Sequence, residues 1–294
     1  MRRRQTARIT VLLIAAAAAL LALSALFFVS NRCLQTEYFS YASPALGEEF
    51  DGFRIVHLSD LHGAVFGKDN ETLFRAVADA APDVIFLTGD LVEGKTRDRL
   101  AYTESVGRAL SAIAPTYYVT GNHEWALGTD VAEEVKKTLT ETGVRVLSNE
   151  YEAIERGDDA LVIAGVDDPL GYADQETPEE LADALYAEYG DPFWLLLAHR
   201  NDRFDGGYCR LGADLTFSGH AHGGLIRLPG TDGLVGTHHE LFPSFTAGFY
   251  SCTCPRDECD GAEVFISRGV GNVAWTLRLF NRPQVAVITL KKGS

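Results

Sequence analysis

Positive charge is scarce in this 294-residue chain, where 26 Lys and Arg stand against 41 Asp and Glu for a formal net charge of −15. Four of the basic residues, Arg2, Arg3, Arg4 and Arg8, precede the first apolar run, so the rest carries 22 against 41, a balance of −19. So acidic a body repels a polyanion unless metal ions or a local basic patch reverse the field, and no basic groove is evident. Nucleic acid is therefore not an expected partner. Between residues 9 and 30 charge of either sign is missing, leaving a run of Ala, Leu, Ile, Val and Phe close to the ~20 residues that cross a bilayer as a helix. A cleavable signal peptide competes with that reading, because 2–8 is basic and Ala22-Leu23-Ser24 offers small residues at a cleavage point. The apolar run continues through Leu26-Phe27-Phe28-Val29, however, longer than the core of a typical signal, which favours an uncleaved anchor. Cys33 follows Asn31-Arg32 rather than small apolar residues, so lipoprotein cleavage is not expected. Four arginines before the span against Arg32 alone just after it predict a cytoplasmic N-terminus, with the body on the outer face of the cell membrane.

Linkers and repeats are lacking too. No long Gly/Ser-rich or Pro-rich stretch interrupts the body, which argues for one α/β domain after a short tether through Tyr38 and Pro44. Cysteine is sparse and uneven: Cys252, Cys254 and Cys259 crowd one loop, Cys209 stands apart, and Cys33 sits at the membrane boundary. An outside location permits disulfides, and one local disulfide is the favoured reading. A structural zinc site is the alternative, although Cys-x-Cys-x-x-x-x-Cys is not a standard finger spacing.

What is present is an alternation of short apolar runs with helical spacing. Strands are predicted over 53–58, 84–87, 117–119, 161–164, 193–198, 215–217, 264–266 and 285–290, and helices over 73–81, 130–142 and 178–188. Five of the strands end in metal-binding residue types. Leu58 runs into Ser59-Asp60-Leu61-His62, Leu87 leads to Gly89-Asp90, Val119 to Gly121-Asn122-His123-Glu124, Ala198 to His199, and Phe217 to Gly219-His220-Ala221-His222. Ligands of open α/β sheets bind outside the carboxyl ends of the strands, so these ends are expected to converge on one site.

In that order and spacing the clusters resemble the calcineurin-like metallophosphoesterase family over 55–224. Ser267-Arg268-Gly269-Val270-Gly271 and Phe280-Asn281-Arg282-Pro283 resemble its membrane-anchored bacterial branch. The resemblance implies an α/β fold, a sandwich of two mixed β-sheets flanked by helices, preceded here by one N-terminal transmembrane helix. It divides the chain into a cytoplasmic basic stub 1–8, an anchor 9–30, a tether 31–50 and a metallophosphoesterase catalytic domain 51–294. It further implies two divalent transition-metal ions, Mn, Fe, Zn or Ni, one held by Asp60, His62 and His222, the other by Asn122, His199 and His220. Asp90 would bridge them, since a carboxylate can share its oxygens between cations about 3.5–4 Å apart. Imidazole suits those metals, whereas an all-oxygen shell would suit Mg or Ca. The implied reaction is hydrolysis of a phosphomonoester or phosphodiester by hydroxide that the ion pair generates from water. His123 would then stabilise charge or act as general acid at the leaving-group oxygen. Glu93, shortly after the Gly-Asp pair, is assigned no role.

Plainer readings stand beside these. A lone histidine ending an apolar strand is more often buried structure than a ligand, and Asp60 or Asp90 alone would read as a helix cap. The five clusters together carry the ligand reading. His57 alternates away from Asp60 and reads as core or as support behind the ligands. His238 and His239 read as surface or substrate-rim residues, and Asp167-Asp168-Pro169 as a turn. The stretch 225–260, with Phe242, Phe245, Phe249 and Tyr250, reads either as a lipid-facing rim or as a packed flap. A non-catalytic metal-binding module at the membrane and a nuclease are the competing functions; the filled ligand positions and His123 favour the enzyme. Expected partners are the lipid bilayer and a phosphoester, with envelope phospholipid-type substrates among the candidates.

Overall fold

The computed structural model describes residues 2–228, 232–237, 240–255, 259, 261–273 and 276–293; His238 and His239 therefore lie outside the described residues. The first element is helix α1 (Arg2–Arg32), 31 residues long, or roughly 46 Å at 1.5 Å per residue. From Ile9 to Val29 it is apolar on every side and almost wholly uncovered; Leu12, Leu21 and Phe28 all point outward. Such a surface is unfavourable in water and matches the hydrocarbon core of a bilayer, ~30 Å thick. Only the end of the helix meets the body. Asn31 Nδ2 donates to the Arg278 carbonyl at 2.9 Å, Asn31 Oδ1 accepts from Arg278 N and Asn272 Nδ2 at 3.0 Å each, and Phe280 N donates to Ser30 Oγ at 3.0 Å.

The segment expected to be a tether is part of the domain. Strand β1 (Gln35–Ser43) leads to a turn that buries Leu46 and Phe50. As an edge strand it is paired on one side only, so its residues are half-buried and show no apolar run in the sequence. Then come β2 (Arg54–Leu58), α2 (Glu71–Asp79), β3 (Val84–Thr88), α3 (Arg99–Ser111) and β4 (Thr116–Val119). A short α4 (Asn122–Ala126), α5 (Thr129–Glu141) and β5 (Arg145–Val146) complete the first half. The second half contains β6 (Glu150–Arg156), β7 (Asp159–Val166), α6 (Pro178–Tyr189), β8 (Trp194–Ala198) and β9 (Leu215–Ser218). It ends with β10 (Ile226–Arg227), β11 (Gly233–Val235), β12 (Gly248–Ser251), β13 (Glu263–Ile266) and β14 (Gln284–Lys292).

Two six-stranded mixed sheets result, in the orders β1-β14-β2-β3-β4-β5 and β12-β13-β9-β8-β7-β6. β2, β3 and β4 run parallel, as do β7, β8, β9 and β13, while β14 against β2 and β6 against β7 are antiparallel. The central strands are covered on both faces, so they read as continuous apolar runs. Ile55, Phe86 and Val119 of one sheet meet Ile163, Leu197 and Phe217 of the other in the interior. On the outer faces Val56, Ile85 and Leu87 pack on Leu73, Val106 and Leu139 of the helices, and Val162 and Leu196 pack on Leu181 and Leu185 of α6. Each such side chain contributes about 1.5–3 kcal/mol when fully buried, so these apolar layers fix the strands from which the polar loops project. The sandwich of two mixed sheets flanked by helices is the one the resemblance implied.

Candidate active site

The carboxyl ends of β2, β3 and β4 meet those of β8, β9 and β13 at one edge of the sandwich. Backbone bonds knit them together: Asp60 N to Gly89 O at 3.1 Å, Gly219 N to His199 O at 3.0 Å, and Gly271 N to Asp60 O at 2.7 Å. The chain bends so sharply here that Asp60, His62, Asp90, His220 and His222 all adopt positive φ, between 48° and 67°. Non-glycine residues avoid this region at a cost of about 1–2 kcal/mol each, and strain of this kind gathers where a site must be assembled. Gly219 lets the two loops touch; a Cβ there would strike Ser59 Oγ and the Asp60 carboxylate.

All seven predicted ligands lie together. Asp60, His62 and His222 form one group, with His62 Nε2 3.1 Å from His222 Nε2 and His222 Nε2 3.3 Å from Asp60 Oδ1. Asp90, His199 and His220 form a second, with His199 Nε2 3.3 Å from Asp90 Oδ2 and 3.1 Å from Asn122 Oδ1. Asp90 Oδ2 is also 3.7 Å from His62 Nε2, so this carboxylate stands between the groups. His123 is the half-open member: its Nε2 lies 3.9 Å from Asp90 Oδ2, and 27 % of its side chain is exposed while the other two histidines near Asp90, His62 and His199, are closed off.

The electrostatics ask for a cation. Burial pushes His62 well down, His220 down to about 3 and His222 down to about 4, which leaves neutral nitrogens with lone pairs to offer. Burial alone would raise the Asp90 carboxyl, but His199, His62 and His123 overcome it and hold it below the usual carboxylate range. Burial likewise opposes charge on His199, yet Asp90, then Asp60 and Asp168, carry it up to about 10. Convergent neutral imidazoles together with buried carboxylates are a donor set that fits divalent metal.

Several neighbours were not legible as functional. Glu93 Oε2 stands 3.7 Å from His62 Nδ1, beyond hydrogen-bond reach, while Lys95 Nζ holds its Oε1 at 2.7 Å, so a buried carboxylate lies beside the ring. Glu124 is completely buried and accepts from Gly121 N at 2.8 Å, Asp90 N at 3.0 Å and Val92 N at 3.1 Å, fixing two of the loops at once. Thr88 O accepts from His199 Nδ1 at 2.7 Å, and Asn281 Nδ2 donates to His222 O at 2.7 Å. Buried Arg278 donates to Gly271 O at 2.6 Å and meets His222 Nδ1 at 3.2 Å. Glu93, Glu124 and Asn281 lay in or beside motifs that the sequence displays, but only the fold shows what each contacts; Arg278 carried no local signal. His57 is core, bonded to Thr88 Oγ1 at 2.7 Å and set edge-on to Phe217 and Phe265. Asp167 accepts from Thr120 Oγ1 at 2.7 Å and pairs with Lys136, so it buttresses the site from behind. Of the 225–260 aromatics, Phe249 packs on Phe265 and Phe245 on Tyr250, whereas Phe242 is exposed.

A cleft of about 500 Å³ opens beside His62; Gly63, Phe66 and Lys95 line it together with Asn272 and Leu277. Its far wall is Phe27, Asn31 and Arg32, the last turn of α1.

Residues 53–224 match the model of the calcineurin-like phosphoesterase family. The metallophosphoesterase YkuE of Bacillus subtilis (strain 168) is 28 % identical over 90 % of this chain and 88 % of its own length. The phosphodiesterase YaeI of Escherichia coli (strain K12) is 29 % identical over 81 % of this chain and 82 % of its own. Among solved structures, the NAD nucleotidase NadN of Haemophilus influenzae is similar in fold, with a TM-score of 0.50 and 14 % identity over 74 % of this chain and 45 % of that one. With its strand ends, its buried Asp and His groups and this match over more than half its length, the chain belongs to the calcineurin-like phosphoesterase family, hydrolases of phosphoric esters.

Proposed function

We propose that this protein hydrolyses a phosphoester of an amphiphile at the membrane surface, using two divalent transition-metal ions. The observation that carries the reading is the cleft, which joins His62 to Phe27 and Arg32 of the candidate membrane helix. A substrate whose phosphate lies at the His/Asp groups would have its apolar part directed along α1 toward the bilayer, with Arg32 lining the path of its remaining negative charge. Asp60, His62 and His222 would hold one ion, Asn122, His199 and His220 the other, and Asp90 both. When bound, the ions supply Lewis-acid neutralisation of the phosphoryl oxygens and acidify the attacking water. The chain's own residues do the rest. Glu124 keeps the Asp90 turn in place, and the exposed edge of His123 is available to give a proton to the departing alkoxide. The basic start of α1 supports a cytoplasmic N-terminus and an outer-face domain.

The test compares a phospholipid in mixed micelles with its water-soluble, deacylated phosphodiester, using the Mn-loaded full chain. The lipid should be the better substrate by kcat/KM, and Phe27→Asp should remove the preference while sparing the soluble ester. Hydrolysis of the soluble ester alone would sink the amphiphile assignment; hydrolysis of neither, nor of simple phosphomonoesters, would sink the enzyme reading of this site.

A further inference from the structure

Outside the candidate active site, four sulfurs come together. Cys209, in the turn after β8, and Cys252, Cys254 and Cys259, in the turn between β12 and β13, bring their Sγ atoms within 4.8 Å of one another. Cys252 and Cys259 are bonded, with Cα atoms 7.3 Å apart, beyond the ~4.4–6.8 Å that bridged cysteines usually span. Cys209 and Cys254 are free thiols with sulfurs 3.5 Å apart. Metal–sulfur bonds of about 2.3 Å in a tetrahedron place neighbouring sulfurs roughly 3.8 Å apart, close to that separation.

Burial, then Cys254 and Asp205, push the Cys209 thiol up, so an incoming metal has to displace its proton. Gly206 N donates to Cys209 Sγ at 3.2 Å, and Cys209 and Cys259 are nearly closed to solvent. Asp205 already ties the two segments together, accepting from Thr253 N at 2.9 Å and from the Thr253 hydroxyl, so the sulfurs are gathered before any metal arrives.

We infer that in the reduced chain these four cysteines form a second metal centre, a tetrathiolate site for one zinc ion, separate from the His/Asp groups. Opening the Cys252–Cys259 bond takes two electrons and two protons from a dithiol reductant, which leaves as a disulfide. Zinc then replaces the four thiol protons, which pass to solvent. Soft thiolate ligands select zinc over manganese, so the two centres sort their metals by donor type. The ion fastens the β12–β13 turn to the segment that runs from His199 toward β9.

Cobalt(II) is the probe. Added to the full chain under a dithiol reductant, one equivalent should give intense thiolate-to-metal charge-transfer absorption that zinc abolishes. Cys209→Ser and Cys254→Ser should each lose that absorption, and Cys254→His, which keeps a ligand, should retain it in shifted form. Asp90→Asn, which disturbs only the other centre, should leave it intact. Circular dichroism checks that each variant is folded. If the folded wild-type chain shows only weak cobalt bands that Asp90→Asn removes, the four cysteines bind no metal and the inference is overturned. It is equally overturned if peptide mapping of the chain grown and isolated without oxidant finds all four cysteines in two disulfides.

Discussion

Replacing Glu124 tests how the site is held together. Its Oε2 accepts from Asp90 N and Gly121 N and its Oε1 from Val92 N, at 2.8–3.1 Å, in a place with no solvent access. Glu124→Ala orphans three buried N–H groups at about 1–3 kcal/mol each, so even the low end is ~3 kcal/mol. That is a large part of the about 5–15 kcal/mol that holds a typical domain folded. Glu124→Gln can set its amide oxygen where Oε2 was and keep two of the three bonds, but it turns an NH₂ toward Val92 N. The loss there should be one bond, about 1–3 kcal/mol. Urea unfolding of the metal-loaded chain in detergent should therefore rank wild type above Gln and Gln above Ala. Metal retention should fall in the same order, because the Asp90 turn loses its fixed point. An alanine variant within about 0.5 kcal/mol of wild type would refute the argument, since changes that small are typical of surface positions. A glutamine variant less stable than the alanine would refute it too.

Other outcomes follow from the same geometry. His123→Ala should keep its metals yet lose about 10²–10⁴ in kcat for a poor alkoxide leaving group, with a clearly smaller loss for a p-nitrophenyl ester; equal losses would remove the general-acid role. Asp90→Asn, by contrast, should lose at least one metal by elemental analysis and fail on every substrate. Gly219→Ala should fold but bind metal weakly, because its methyl would displace Ser59 and the Asp60 carboxylate; undiminished affinity would show that the loops can give way. Protease added to intact spheroplasts should cleave the domain, and protection until the membrane is broken would reverse the proposed orientation.

How far the sequence disclosed this arrangement depends on the range over which each feature is encoded. β2, β3, β8 and β9 were legible because strands covered on both faces need unbroken apolar runs, and the residues that end them are the ones that meet. β1 was hidden for the opposite reason: an edge strand with Gln, Thr, Glu and Ser along it resembles a linker until β14, some 250 residues later, pairs with it. The helix α3 was missed because its charged and small residues show no clear apolar stripe. Arg278 escaped because its meaning lies in which imidazole it meets, and no local pattern records a contact between Arg278 and His222; Glu93 was visible beside the Gly-Asp pair, but nothing local placed it near His62. The docking of α1 on Asn272 and Arg278 was hidden in the same way, since Asn31 after an apolar run signals only that the run has ended.

The His/Asp groups should hold two metal ions and hydrolyse phosphoesters only when they do. The most direct test is a titration of the chelated, folded chain with Mn²⁺, followed by hydrolysis of bis-p-nitrophenyl phosphate and of p-nitrophenyl phosphate; thiolates bind Mn²⁺ poorly, so the cysteine cluster does not interfere. Activity should be absent without metal, rise with added Mn²⁺ and level off at two equivalents per chain. A metal-free, folded chain that hydrolyses either ester as fast as the loaded one would contradict the claim, as would activity complete at a single equivalent.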